Sequence, residues 1–149
     1  DRAESLKDRL GALAYPTGAV LAAVGGHGWR LAVTVDGTPL DLPGERVLMV
    51  GVGNGPSIGG GTPLCPGAEP DDGALDVVVS CATGPAARVA FGQALRSGRH
   101  VERDDVVSAR GQVVRISGDP VGYDADGELE DDVTDRSYRV EPGAWTLIS

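Results

Sequence analysis

The chain has 149 residues, which is enough for one domain with a substantial buried core. Its formal net charge of −9 argues against nucleic acid or an anionic membrane surface as the main partner. No apolar run approaches the roughly 20 residues that span a bilayer, and no basic-then-apolar signal segment opens the chain. We therefore expect a cytoplasmic protein that makes transient contact with a membrane surface at most.

The amino-terminal residues 5–24 predict helical structure. Leu6, Leu10 and Leu13 recur with the helical period, and Pro16 should end or kink the first segment. The same spacing resumes after the proline and stops at two successive glycines.

The apolar period then changes to two, which is typical of strands. Residues 30–35 alternate, Asp36-Gly37 is a hairpin signal, and residues 38–42 alternate back as an edge strand. Residues 46–52 and 75–80 read as buried strands.

An apolar stripe over residues 85–97 predicts a second helix, with Gly98 placed to end it. Further strands are predicted at 105–109, 112–117, 120–124, 136–140 and 144–148. Because strands and helices do not alternate, the sequence predicts an α+β fold, mainly antiparallel β, as a two-sheet β-sandwich-like domain with two helical segments.

The cysteines and histidines suggest no disulfide framework and no zinc site. Cys65 and Cys81 are too few for a framework and are expected to be a reduced pair. His27 and His100 are isolated, with no second ligand at the usual spacing.

A glycine-rich segment, residues 54–63, follows a predicted buried strand. Its successive glycines leave backbone N–H groups free to face an anion or to approach a ligand closely. It is not a P-loop, because no Lys-Ser/Thr follows. A flexible surface loop is the alternative interpretation.

Residues 66–76 combine carboxylates with a tight turn, which suits a hard divalent cation bound by oxygen. A solvated turn leading into the next strand is the alternative.

The segment 124–132 is strongly acidic. Crowded carboxylates repel one another, which makes a general base or a metal site conceivable. The same residues could equally form a hairpin turn at Asp126-Gly127 with a solvated face.

The order of these motifs is more specific than any one of them. Along the chain they are Leu13-Ala14-Tyr15, Asn54…Gly59-Gly60-Gly61, Pro66-Gly67-Ala68 with Asp72-Gly73-Ala74-Leu75-Asp76, Gly98-Arg99-His100, Asp126-Gly127-Glu128 and Glu141-Pro142-Gly143-Ala144. Over residues 5–148 this order closely resembles the C-terminal domain of the diacylglycerol kinase-like lipid kinases. That family includes bacterial diacylglycerol, sphingosine and ceramide kinases, with NAD kinases as more distant relatives.

The resemblance implies a second domain. The family's N-terminal α/β domain carries a nucleotide-binding Gly-Gly-Asp-Gly-Thr motif, which this sequence lacks. The chain also opens with Asp1 rather than Met. We therefore expect residues 1–149 to be a single C-terminal, substrate-side domain that is inactive without its N-terminal kinase domain.

The resemblance also implies a chemistry, namely phosphoryl transfer from ATP to a lipid hydroxyl such as that of diacylglycerol. The family's proton acceptor maps to Asp126 and Glu128, of which we favour Glu128. A structural Mg²⁺ would use the carbonyl of Glu69, the carboxylate of Asp72 and the carbonyl of Ala74. Asn54, Gly59, Gly60 and Gly61 would line the cleft where nucleotide and lipid meet, although the absent domain would bind most of the ATP.

Two alternatives stay open at this point. One is a non-catalytic β-sandwich binding module stabilised by a divalent cation. The other, within the superfamily, is an NAD kinase-like or sphingosine kinase-like enzyme. The sequence also leaves open a homodimer and does not name the lipid.

Overall fold

Two antiparallel sheets form the framework of the computed structural model, which describes residues 27–58, 61–125 and 128–141. The four-stranded sheet has the order β2-β1-β6-β7, with β1 Leu31–Val35, β2 Thr38–Pro39, β6 Val113–Ala125 and β7 Glu128–Arg139. The three-stranded sheet has the order β3-β4-β5, with β3 Met49–Gly53, β4 Leu75–Ser80 and β5 Val106–Gly111. The predicted helical residues 5–24 and the predicted strand 144–148 lie outside the described residues.

The predicted hairpin at Asp36-Gly37 is confirmed. Both residues have positive φ, +50° and +79°, which is the backbone of a two-residue hairpin turn with primed geometry. The returning strand β2 is only two residues long and lies at the edge of the sheet, as Pro39 predicts.

Strand β4 is buried on both faces and defines the layers of the domain. Val77 and Val79 pack toward the four-stranded sheet, while Val78 packs toward the opposite side. This is the alternation that a pleated strand imposes. The predicted strand at residues 75–80 is therefore confirmed, and the two sheets form the predicted sandwich.

One α-helix, α1 (Pro85–Arg96), covers the outer face of the three-stranded sheet, and a 3₁₀ helix (Arg99–Glu102) follows it. Phe91 and Leu95 are its buried anchors. Gly98, at φ +72°, ends the helix as predicted, because a residue with a side chain rarely adopts this backbone conformation. No helix in the described part of the chain is long and apolar enough to cross a membrane.

Strands β6 and β7 are longer than predicted, with 13 and 12 residues. The predicted separate strands at 112–117 and 120–124 form one continuous strand, β6. The acidic residues after position 127 belong to strand β7 and do not form a loop. The register shifts twice between residues 117 and 123, so bulges keep the long pair together. Pairing with β6 outweighs the low strand propensity of these acids.

Candidate functional site

The glycine-rich segment is a closed loop built on the end of β3. Asn54 follows that strand and is exposed. Ile58 and Thr62 exchange backbone hydrogen bonds of 2.9 and 3.1 Å, and Gly61 has φ +83°. The predicted Gly59 and Gly60 lie between these paired residues in sequence but outside the described residues.

The residues after this loop attach it firmly to the core. The N–H of Cys65 donates a 3.2 Å hydrogen bond to the carbonyl of Pro56. Leu64 packs on the backbone of β3, since a Cβ built at Gly51 would lie 2.6 Å from Leu64 Cδ2. The loop therefore leaves the end of β3 and returns to the same strand.

The three predicted magnesium ligands share one turn. The N–H of Asp72 donates a 3.3 Å hydrogen bond to the carbonyl of Glu69, and Asp72 Oδ1 accepts a 2.9 Å hydrogen bond from the N–H of Ala74. Gly73, between Asp72 and Ala74, has φ +70°. These hydrogen bonds hold Asp72 beside the backbone of Glu69 and Ala74, and their role as magnesium ligands stays a prediction.

Two residues outside the predicted ligand set complete this corner, of which Arg110 was not singled out by the sequence at all. Arg110 forms ion pairs with Asp72 and, at 2.9 Å, with Oδ1 of Asp76. The other carboxylate oxygen of Asp76 is buried, and no hydrogen-bond partner for it is present among the described residues. Burial raises the pKa of Asp76, as does the nearby charge of Asp72, while Arg110 opposes both. The alternation of β4 could have signalled Asp76, because it lies on the same strand face as Val78.

The corner suits a hard cation only if backbone oxygens contribute. Within residues 27–58, 61–125 and 128–141, no group of three His, Cys, Asp or Glu side chains is placed to hold a metal. Carboxylate and carbonyl oxygens are the donors that Mg²⁺ prefers. The carboxylates of Asp72 and Asp76 and the backbone carbonyls of the turn are oxygen donors of this kind. In the structure the Arg110 guanidinium pairs with both carboxylates, so an ion bound there would replace these ion pairs.

The predicted proton acceptor lies at the end of the long hairpin. Glu128 is the first residue of β7 and pairs with Ala125, whereas Asp126 lies outside the described residues. Further along β7, Glu130 forms an ion pair with Arg136, and Asp131 and Asp132 are exposed. The predicted turn at Asp126-Gly127 lies outside the described residues and stays a prediction.

A cavity of about 390 Å³ lies between the two sheets. Its walls come from β1, β3, β6 and β7 and from residues beside these strands. Apolar side chains dominate the lining, which includes Trp29, Leu31, Leu48, Met49, Val50, Ile116, Val121, Val133 and Tyr138. Polar groups also line it, including Asp119, Asp135 and Arg136.

Sequence reasoning could not place this cavity, because its lining residues are spread along the chain from Trp29 to Tyr138. Alternation along β1 and β6 gives the inward direction of individual side chains but not the spacing between the sheets. The strands β6 and β7 that line the cavity also carry the hairpin where Glu128 lies.

The whole chain, residues 1–149, matches the family model described as the YegS C-terminal NAD kinase beta sandwich-like domain. The chain belongs to this family. The predicted resemblance is thereby confirmed, and with it the sandwich architecture.

Curated relatives carry kinase names. A protein from Xanthomonas oryzae pv. oryzae (strain MAFF 311018), named "Probable lipid kinase YegS-like", is 34% identical over 141 residues, 92% of this chain and 43% of its own length. A "Diacylglycerol kinase" from Mycobacterium tuberculosis (strain CDC 1551 / Oshkosh) is 32% identical over 77 residues, 52% of this chain and 25% of its own. The chain thus spans less than half the length of these relatives.

A solved structure shares the fold. The crystal structure of a diacylglycerol kinase from Bacillus anthracis str. Sterne matches 91% of this chain and 45% of its own chain, with a TM-score of 0.61 and 21% sequence identity.

Proposed function

We propose that residues 1–149 form the substrate-side domain of an ATP-dependent lipid kinase, which transfers a phosphoryl group to a lipid hydroxyl such as that of diacylglycerol. The observation that carries this proposal is the apolar cavity between the sheets, in a chain whose curated relatives are named lipid kinases. We further propose that the remaining part of the enzyme is an N-terminal kinase domain, because the chain spans only 43% of the first of these relatives.

The cavity suits an alkyl chain because its walls are mainly apolar side chains, and removing apolar surface from water is favourable. Its volume of about 390 Å³ falls within the range of small-molecule sites, about 300–1,000 Å³. The polar residues Asp119 and Asp135 give the cavity a polar component that suits a lipid headgroup.

Glu128 is the proposed proton acceptor for the lipid hydroxyl, with Asp126 orienting it or sharing the role. A carboxylate within hydrogen-bond reach of the hydroxyl contributes about 10²–10⁴ in rate. Glu128 begins β7, five residues before Val133, which lines the cavity. The proposal therefore requires that a bound lipid turn its headgroup toward this end of the strand.

The remaining site residues bind rather than react. Asn54 and the loop of Gly59, Gly60 and Gly61 would line the cleft shared with nucleotide, whose phosphates the N-terminal domain would bind. A Mg²⁺ at the Asp72 turn would cross-link the turn through oxygen ligands. Positioning and charge neutralisation do most of the work in phosphoryl transfer, so these supporting contacts matter.

Lipid binding by residues 1–149 tests the proposal. In a Trp145→Phe background Trp29, which lines the cavity, is the only tryptophan and reports on its contents. Diacylglycerol with brominated acyl chains, presented in detergent micelles, should quench Trp29. Val133→Phe replaces an isopropyl group that lines the cavity with a larger aromatic ring, and it should weaken the quenching at least fivefold.

The matched control is Val89→Phe. Val89 is 60% exposed on α1 and does not line the cavity, so this variant should be quenched like the parent. Equal quenching in the Val133 variant, or none in the parent, would contradict the proposal.

A further inference from the structure

His100 is a fully buried histidine that the chemistry above does not use. It lies in the 3₁₀ helix and has 0% exposure. Its ring packs edge-on against Phe91, with 5.7 Å between the ring centroids and 88° between the planes. Phe91 is an anchor of α1, so the imidazole is fixed from the core side.

The other side of the ring contacts the segment that closes the glycine-rich loop. Nε2 of His100 lies 2.7 Å from the carbonyl oxygen of Leu64. A carbonyl only accepts hydrogen bonds, so Nε2 is the nitrogen that carries the proton. Nδ1 is buried and has no hydrogen-bond partner among the described residues, which leaves the Leu64 carbonyl as the polar contact of the ring there.

Leu64 is connected directly to the glycine-rich loop by a backbone hydrogen bond. Its N–H donates a 2.9 Å hydrogen bond to the carbonyl of Thr62, which is one half of the Ile58–Thr62 closure. The next residue, Cys65, donates to the carbonyl of Pro56 on the opposite arm. A restraint on the carbonyl of Leu64 therefore acts on both arms of the loop.

The backbone beside His100 packs against the same segment. A Cβ built at Gly98 would lie 3.4 Å from atoms of both Pro63 and Pro66. The chain after α1 thus contacts residues 63–66 by packing as well as by the imidazole hydrogen bond.

We propose that His100 is a positioning residue that fixes the two described arms of the glycine-rich loop, residues 54–58 and 61–63, by donating a hydrogen bond to the carbonyl of Leu64. The restraint itself is independent of any reaction. Its importance for catalysis rests on the proposed function, in which this loop lines the cleft for nucleotide and lipid.

Amide hydrogen exchange on residues 1–149 tests the restraint without lipid or ATP. The reporters are the hydrogen-bonded amides of Ile58, Thr62 and Cys65. His100→Phe keeps a ring of similar size but removes the donor, and it should speed exchange at these amides at least tenfold. Amides of β1, paired with β6 in the other sheet, should change by less than twofold.

Two further variants separate the hydrogen bond from packing. His100→Gln restores an amide N–H donor and should return the reporters to within threefold of wild type. Phe91→Leu removes the ring contact and keeps the donor, so it should leave the reporters closer to wild type than His100→Phe does.

Three outcomes would overturn the proposal: unchanged reporters in His100→Phe, no rescue by His100→Gln, or an equal acceleration at β1. If the reporters respond as expected and Trp29 is not quenched by brominated diacylglycerol, the restraint stands and the lipid kinase proposal fails.

Discussion

The carboxylate of Asp36 accepts a 2.9 Å hydrogen bond from the backbone N–H of Val113, 77 residues further along the chain. The same oxygen accepts a 3.0 Å hydrogen bond from the N–H of Gln112. Asp36 is in the turn between β1 and β2, and Val113 begins β6 just after β5 ends. One side chain therefore holds the point where the chain passes from one sheet to the other.

Substitution at Asp36 should reveal this connection. Asp36→Ala removes the acceptor and puts alanine at φ +50°, so we expect the free energy of unfolding to fall by about 2–3 kcal/mol. Asp36→Asn keeps the Oδ1 acceptor and tolerates positive φ, so it should lose less than about 1 kcal/mol. Urea denaturation measures both, and equal losses would mean that the two hydrogen bonds contribute little.

Asp132 has φ +58° within strand β7, next to Asp131, which has ordinary strand backbone. Valine favours strands but tolerates positive φ poorly. Asp132→Val should therefore lower the free energy of unfolding by about 1–2 kcal/mol, whereas Asp131→Val should be neutral or stabilising. Thermal denaturation of the two variants checks the opposite signs, and the same sign for both would show that the bulge is absent in solution.

The thiol of Cys65 should make the free energy of unfolding depend on pH in the alkaline range. Burial and then the charge of Asp76 raise the pKa of its thiol to about 11 from 9.0. The folded state thus holds this proton more tightly than the unfolded state, and the free energy of unfolding should fall as the pH rises from 9 to 11, by up to about 2 kcal/mol.

The role of Cys65 is tested by comparing how steeply the free energy of unfolding falls with pH in the wild type and in cysteine variants. Cys65→Ala should be less stable at neutral pH, yet it should lose most of the fall between pH 9 and 11. Burial also raises the pKa of the Cys81 thiol, so Cys81→Ala should lose its own part of the fall but retain the part caused by Cys65. Cys65 and Cys81 are both free cysteines in the structure, so no disulfide complicates the measurement. An unchanged slope in Cys65→Ala would show that other groups cause the alkaline loss.

The Asp72 turn should respond to magnesium. Wild-type protein is expected to melt at a higher temperature in Mg²⁺ than in EDTA, because binding to the folded state stabilises it. Asp72→Asn keeps the Oδ1 acceptor for the N–H of Ala74 but loses the charge, so the difference between Mg²⁺ and EDTA should disappear.

The neighbouring Asp71 supplies the control for this measurement. It is exposed, and Asp71→Asn should keep the full effect of Mg²⁺. If Asp72→Asn also keeps it, Asp72 does not bind the ion, and its carboxylate serves only the turn and Arg110.

The parts of the fold that sequence could predict are those governed by local rules. The residues Asp36-Gly37 favour a hairpin turn by themselves, and Gly98 favours the end of a helix. The apolar run at residues 75–80 favours a buried strand whichever strands it pairs with. The length of β7 was not predictable, because its acidic residues become a strand only through pairing with β6 and through the bulge at Asp132.

The candidate site also has a part that the sequence could predict and a part that it could not. Glu69, Asp72 and Ala74 are close in sequence, so one turn could be foreseen to hold them. Arg110 and the buried oxygen of Asp76 belong to the same corner only because β5 pairs with β4. The cavity depends on the separation of two sheets, which no residue pattern reports.

The most direct test of the account is the rate of phosphoryl transfer from ATP to diacylglycerol by the complete protein that contains this chain, with Glu128→Gln as the key variant. If Glu128 accepts the proton of the lipid hydroxyl, kcat should fall by about 10²–10⁴ with little change in the KM for ATP. Asp131→Asn, an exposed carboxylate on the same strand, should stay within a few-fold of wild type. Transfer by Glu128→Gln at the rate of Asp131→Asn, or no transfer by the wild type, would contradict the account.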